Sequence, residues 1–253
     1  MENFCEITFC QQIGSNKRHN QDALFNGEAV FQYKLKTAEK RLENRPHFIV
    51  GVADGISNNN RPEKASKLAM QLLSKMESLS RQTIYDLQSS LSAELAEDYF
   101  GSATTFVAAE IEQITRKAKI LSVGDSRAYL IDAQGKWQQI TQDHSILSEL
   151  LADFPDKKEE DFATIYGGVS SCLVADYSEF QDKIFYQEIE IQQGESLLLC
   201  SDGLTDGLSE EMREKIWKQY DNDKSRLTVC RKLVTKQRFY DDLSVVICTI
   251  IAT

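Results

Sequence analysis

The chain has 253 residues, 42% of them hydrophobic and 27% charged, and 29 Lys and Arg against 39 Asp and Glu give a formal charge of −10. That composition suits a soluble globular protein with an ample core, and one domain over residues 1–253 is expected. The negative balance excludes nucleic acid and anionic membrane surfaces as natural partners, since both require a basic face. Met1 to Cys10 lacks the basic and apolar regions of a signal peptide, and no apolar run approaches the ~20 residues of a membrane helix. Cysteines 5, 10, 172, 200, 230 and 248 form no Cys-x-x-Cys pair and read as reduced core thiols. A cytoplasmic monomer is expected.

In chain order, residues 3–13 alternate as a first strand, and Gly14 to Asn20 is a polar, basic loop. Ala23 to Phe25 is a second strand, and the charged stretch 26–46 reads as an insertion or long hairpin. His47 to Ala53 is a strand. Pro62 opens a helix whose apolar stripe runs from Ala65 to Leu79, and a second helix carries Ile84, Leu87, Leu91 and Leu95 on one face. Both stripes are core. Thr104–Ile111, Ala118–Val123, Ser126–Ile131 and Trp137–Ile140 follow as strands of an antiparallel meander. Asp143 or Ser145 caps a short helix, and 153–163 is a surface loop. Ile184–Ile191 and Ser196–Cys200 are further strands. Ser209 starts a helix, another spans Asp223 to Lys236, and Leu243–Ile250 closes the sheet. Strands at both ends with helices between them indicate an α+β fold, not a simple alternating βαβ order.

Four strands carry an aspartate at one end. Val52-Ala53-Asp54-Gly55 and Cys200-Ser201-Asp202-Gly203 end apolar runs, and Ile120 to Gly124 ends at Asp125. In Asp241-Asp242-Leu243-Ser244-Val245 the acid comes first. A single Asp-Gly is more often a hairpin turn than a site. Here the pair recurs after buried strands and leads towards helices. Carboxylates ~4 Å apart repel by roughly 4 kcal/mol at an effective dielectric of 20, and divalent cations remove that cost. An all-oxygen ligand set favours hard Mg2+ or Mn2+.

The set resembles the metal-dependent Ser/Thr protein phosphatases of the 2C type, in a bacterial-like branch. The matching segments are Asn20-Gln21-Asp22, Val52-Ala53-Asp54-Gly55, Gly101-Ser102-Ala103-Thr104-Thr105, Val123-Gly124-Asp125-Ser126-Arg127, Thr141-Gln142-Asp143-His144-Ser145, Leu199-Cys200-Ser201-Asp202-Gly203 and Asp241-Asp242-Leu243-Ser244-Val245. They stand in the family's order and run from residue 14 to 250. The resemblance implies a central β-sandwich of two antiparallel sheets flanked by pairs of helices. It implies two core ions, Mn2+ or Mg2+, with Asp54 bridging them, the Gly55 carbonyl on the second, Asp202 and Asp241 on the first, and Asp22 orienting bound water. A third, weaker ion is implied at Asp125, shared with Asp202. The implied reaction is hydrolysis of phosphoserine or phosphothreonine in a phosphoprotein, by direct attack of a metal-bridging water. A Ser/Thr kinase, or its targets, is the implied partner.

Four positions depart from the pattern. Lys17, with Arg18 beside it, stands where a phosphate-binding arginine is usual, and either could hold the phosphate. Gln21 replaces a glutamate, Ser57-Asn58-Asn59-Asn60 replaces a Gly-Gly pair, and Asp242 takes a position often held by asparagine. Gly167-Gly168 and Ser170-Ser171 are candidates for a substrate flap. His144 reads as structural, and His19 is the better candidate to protonate the leaving alcohol. A catalytically weak binding module and a small-molecule phosphoesterase remain as alternatives; the sequence shows no nucleotide-binding glycine loop.

Overall fold

The computed structural model describes residues 3–35, 37–158, 161–162, 168–180 and 183–252. Two six-stranded antiparallel sheets pack face to face. The first has the order β10-β9-β13-β14-β1-β4, built from β1 (Asn3–Gln12), β4 (Glu39–Glu43), β9 (Arg127–Ile131), β10 (Trp137–Gln139), β13 (Ser196–Cys200) and β14 (Leu243–Ala252). The second has the order β12-β8-β7-β5-β2-β3, built from β2 (Ala23–Phe25), β3 (Val30–Phe31), β5 (His47–Ala53), β7 (Phe106–Glu112), β8 (Lys117–Val123) and β12 (Phe185–Glu190). A small ladder joins β6 (Ala103–Thr104) to β11 (Leu173–Val174).

Alternation decides what each strand face meets. In β5, Phe48, Val50 and Val52 enter the core between the sheets. Ile49 and Ala53 face the other way, against α1 (Pro62–Leu73) and α2 (Arg81–Tyr99). On the far side, α5 (Glu210–Gln219) and α6 (Asp223–Val234) cover the first sheet through Ile216, Trp217, Leu227, Cys230 and Val234. The expected sandwich flanked by helix pairs is the architecture observed.

Local chemistry sets the helix ends. Pro62 occupies the first turn of α1, and Ser80 and Thr83 form a reciprocal capping box at α2. Ser145, not Asp143, caps α3 (Ile146–Asp153); Asp143 instead receives the Arg127 guanidinium. Helix α1 stops at Leu73, so the stripe continued to Met76 and Leu79 lies in the following loop, where Leu79 is still buried. Helix α4 (Asp202–Thr205) is a single turn that the strand-Asp-Gly reading left unassigned.

Two expectations are corrected. Residues 26–46 form neither an insertion nor one hairpin: β2 pairs with β3, and the chain then crosses to the other sheet, where β4 pairs with β1. The meander over 104–140 is two separate hairpins. Strands β7 and β8 pair in the second sheet, β9 and β10 in the first, and the chain changes sheet between Val123 and Arg127. That crossing places Asp125 between the layers' ends.

Candidate metal centre and active site

Strand polarity gathers the acids. Ala23 pairs with Ala53 across the antiparallel β2–β5 ladder, so Asp22, just before β2, and Asp54, just after β5, lie at the same end of the second sheet. In the first sheet Cys200 of β13 pairs with Val245 of β14 and with Arg127 of β9. Asp202, Asp241 and Asp125 therefore reach the corresponding end. An acid after one strand and an acid before its antiparallel neighbour are adjacent by construction.

Close backbone approaches hold this end together. A Cβ at Gly203 would stand 1.9 Å from the Asp242 carbonyl oxygen, and one at Gly55 would stand 2.7 Å from the Gln21 carbonyl oxygen. Both positions demand glycine on space alone. Gly55 donates its N–H to that Gln21 carbonyl at 3.1 Å, and the Asp54 carbonyl accepts from Thr104 Oγ1 and the Thr105 N–H, both at 2.8 Å.

Asp54, Gly55, Asp125, Asp202 and Asp241 line one cavity of about 170 Å3, together with Thr105, Gly168 and Val169. Asp125 and Asp202 also line a second cavity of about 300 Å3 with Arg127, Asp143 and Asp206. These two carboxylates thus stand on the partition between the spaces. Val169 bridges to Ser145, and Gly168 accepts from the Ile146 N–H at 3.0 Å, which sets this part of the expected flap over the first cavity. Gly167 and most of 159–167 fall outside the described residues.

Asp22 is fully buried beneath the cavity and does not line it. Its Oδ2 accepts from Ser201 Oγ at 2.7 Å, while Oδ1 has no hydrogen-bond partner. Burial, with the charge of Asp242 and Asp202 added, pushes its pKa up to about 8. Burial and Asp202 push Asp125 up to about 7. Burial pushes Asp202 up to about 6, although a hydrogen bond with Asp54 opposes the rise. Asp54 is raised well above the carboxylate range by burial and by Asp22 and Asp202.

Among the described residues, no three His, Cys, Asp or Glu side chains converge as a finished metal cage. One side-chain cation meets two of the acids at this end of the sandwich. The Lys17 ammonium sits on Asp241 Oδ1 and Asp242 Oδ2. The donor set still fits hard divalent cations: it is all oxygen, its charges are raised in energy by burial, and Asp202 Oδ1 lies buried without a partner. A cation held by Asp241 would take the place of the Lys17 head group there.

In the loop from Gly14 to Asp22, Lys17 and Arg18 lie in different surroundings. Lys17 points into the acidic cluster and also donates to Ser57 Oγ at 3.2 Å. Burial works to lower its pKa, but Asp241 and Asp242 outweigh that and raise it. Arg18 and His19 turn away and line a different cavity. His19 is therefore not placed among the aspartates as the leaving-group acid. His144 is buried, and its Nδ1 accepts from the Gly124 N–H at 3.2 Å, a structural role.

The residue that sequence reasoning undervalued is Asp242. Its buried carboxylate accepts from the Gly14 N–H at 2.6 Å, the Gln21 N–H at 2.9 Å and Lys17 Nζ at 3.1 Å. It fixes both ends of the loop that carries Lys17 and Asp22. The signal was the doubled acid at 241–242.

A family model described as protein phosphatase 2C matches residues 15–228. The chain belongs to the protein phosphatase 2C family. Over 220 residues it is 34% identical to the serine/threonine phosphatase stp of Listeria monocytogenes, covering 81% of this chain and 80% of that one. The fold resembles the crystal structure of the phosphatase Stp1 from Staphylococcus aureus, with a TM-score of 0.77, 21% identity, and coverage of 97% and 95%. It also resembles the catalytic domain of the phosphatase PstP in complex with 2 manganese ions, with a TM-score of 0.74, 20% identity, and coverage of 99% and 100%. Phosphatases of the 2C family are metal-dependent, in keeping with the acidic cavity. Among the described residues, no helix is long and apolar enough to cross a membrane.

Proposed function

We infer that this chain is a metal-dependent phosphatase that hydrolyses phosphoserine and phosphothreonine in proteins, with its chemistry at the cavity lined by Asp54, Gly55, Asp125, Asp202 and Asp241. The observation that carries this reading is the set of raised, buried carboxylates gathered at one end of the sandwich in a chain of the 2C family. Divalent cations bound there supply charge neutralisation for the phosphoryl oxygens and acidify water for attack on phosphorus. Asp54, Asp202 and Asp241, with the Gly55 carbonyl, are the proposed ligands of two ions. Asp125, on the partition with Asp202, is the proposed ligand of a third.

Asp22 lies one layer below and holds Ser201 and the floor of the cavity in place. Lys17, whose ammonium rests on Asp241 and Asp242, would supply the cation that meets the outer phosphate oxygens. No cysteine or serine nucleophile is needed, and buried Cys200, raised to about 12 by burial, is unsuited to that task. We assign Mn2+ or Mg2+ as the ions, a single catalytic domain, a cytoplasmic monomer, and action opposite a Ser/Thr kinase, on the acidic oxygen-only site and the family.

The test is hydrolysis of a phosphoserine peptide and of a nucleotide, each with Mn2+, with Mg2+ and with excess chelator. The expected result is peptide turnover with either ion, little nucleotide turnover, and none with chelator. Full activity in chelator overturns the metal assignment, nucleotide preference points to a small-molecule phosphoesterase, and no turnover at all points to a binding module.

A further inference from the structure

Beside the aspartate cavity, on the far wall of the loop that carries Lys17, lies a second depression of about 440 Å3. Its charge is opposite to that of the protein as a whole. Arg18, Lys34, Arg61, Lys64 and Lys67 all line it, and Glu63 is its one acid. Glu63 is already neutralised by Arg61 at 2.9 Å. Lys64 lies over the Tyr99 ring, 5.5 Å from its centroid. Among the described residues, Arg18, Lys34 and Lys67 are exposed and engage no ion pair. Three uncompensated cations therefore converge on one cavity of a chain with a formal charge of −10.

These cations come from three separate segments: the 14–22 loop, the turn after β3 and the first turns of α1. The fold brings them together without a structural partner to satisfy. No side chain caps the N-terminus of α1, so its positive dipole end adds to the same field. The surface salt bridges elsewhere, such as Lys40 with Glu6 and Lys218 with Glu214, pair each cation with an acid.

We propose that this cavity is a second anion subsite, receiving a phosphate or carboxylate group that the substrate protein carries a few residues from the phosphoserine or phosphothreonine under attack. The proposal rests on the phosphatase reading of the aspartate cavity. Arg18 lines this cavity and directly follows Lys17, whose ammonium sits on Asp241 of the aspartate cavity, so the loop carrying both stands as a wall between the two sites. An extended segment covers ~3.3–3.6 Å per residue, and roughly three to five residues cross such a wall. The enzyme should therefore prefer acidic or multiply phosphorylated segments. The acidic metal centre, which repels such segments until it is loaded, gains from a separate basic foothold.

The test uses four substrates with Mn2+: a phosphoserine peptide with neutral flanks, the same peptide with a second phosphoserine four residues away, the same peptide with a pair of glutamates there, and p-nitrophenyl phosphate. The variant is the double substitution Lys34→Glu, Lys67→Glu, at two exposed positions away from the aspartates. The wild type should favour both anionic peptides over the neutral one. The variant should lose about ten-fold in kcat/KM on the anionic peptides, through KM, as expected for reversing two exposed charges. It should leave the neutral peptide and the aryl phosphate unchanged. Raising salt to about 0.5 M should erase the wild-type preference, because screening then acts within a few ångströms.

A preference for the doubly phosphorylated peptide alone identifies phosphate as the ligand, and equal preference for the glutamate peptide identifies any anion; both support the subsite. Equal kcat/KM on all three peptides in the wild type overturns it, as does a variant that loses equally on every substrate, while the phosphatase reading stands in either case. If no substrate turns over, fluorescence anisotropy of labelled peptides in Mn2+ still decides. Tighter binding of the anionic peptide, abolished in the variant, supports the subsite without catalysis, and equal binding refutes it.

Discussion

Asp242→Ala should damage the protein more than a substitution at a non-ligand position ordinarily does. The side chain is 1% exposed and accepts three hydrogen bonds, from the Gly14 N–H, the Gln21 N–H and Lys17 Nζ. Truncation strands two backbone donors at a buried or half-buried site. Each stranded donor costs ~1–3 kcal/mol. Relief of a buried carboxylate whose pKa is raised, chiefly by burial, offsets part of this. The net loss should be about 2–4 kcal/mol. For a chain of this length ~1 kcal/mol shifts Tm by about 2–4 °C, so Tm should fall by roughly 5–15 °C. Activity should fall further than stability, because the freed loop carries Lys17 and Asp22, and misplacing catalytic groups by ~1 Å can cost about a hundred-fold. Asp242→Asn keeps the shape and one acceptor but turns an amide N–H towards the remaining donors, so it should lose about half as much. The assays are denaturant and thermal unfolding in chelator, and kcat/KM on a neutral phosphopeptide. An Asp242→Ala protein with Tm within about 2 °C of wild type and undiminished kcat/KM would refute the account of this loop.

Much of the fold was legible because its central strands are buried on both faces and therefore read as continuous apolar runs. His47 to Ala53 is bounded in the structure as its apolar run suggested, and the strand-Asp-Gly pattern, with its inverted form at 241, carried the site. An acid at opposite ends of antiparallel neighbours implies adjacency without any knowledge of the whole fold. What the sequence did not disclose is partner choice. Phe106 to Glu112 and Arg127 to Ile131 are both apolar runs but lie in different sheets, because an apolar run says that a strand is buried and not which sheet receives it. The same limit hid the crossing within 26–46. Side-chain direction in an irregular loop was equally hidden. Lys17 and Arg18 are chemically alike and adjacent, yet the contacts that separate them, Asp241 and Asp242, lie more than 220 residues away.

Asp54→Asn and Asp202→Asn should each lower kcat by more than about a hundred-fold, while the chelated protein keeps or gains stability as repulsion falls; turnover near wild type in either variant would remove that residue from the centre. Asp125→Ala should cut turnover and lower the metal stoichiometry in calorimetry by one, leaving the tight pair; loss of both tight ions would contradict its place on the partition. Asp22, Asp125 and Asp202, held near about 8, 7 and 6, bind more protons when folded than at their ordinary value of 3.8. In chelator the unfolding free energy should therefore fall as pH rises from about 4 to about 8 and flatten above, and saturating Mn2+ should weaken the slope; a chelated protein more stable at pH 8.5 than at 5.5 would reverse the sign and the argument. Lys17 tests how the centre manages its charge. Its ammonium rests on Asp241 and Asp242, so it competes with the cation that Asp241 is proposed to ligate. Once displaced, its flexible stem can carry the charge to the phosphate, which a guanidinium locked on two carboxylates does less readily. Lys17→Met should therefore tighten the divalent ion several-fold in calorimetry while raising KM for a neutral phosphopeptide about ten-fold, with Arg18→Ala leaving that KM within about two-fold. Opposite signs for metal affinity and substrate affinity in one variant are what a displaceable counter-ion requires. If both weaken together, Lys17 is only a strut for the loop, and the phosphate must find its cation elsewhere.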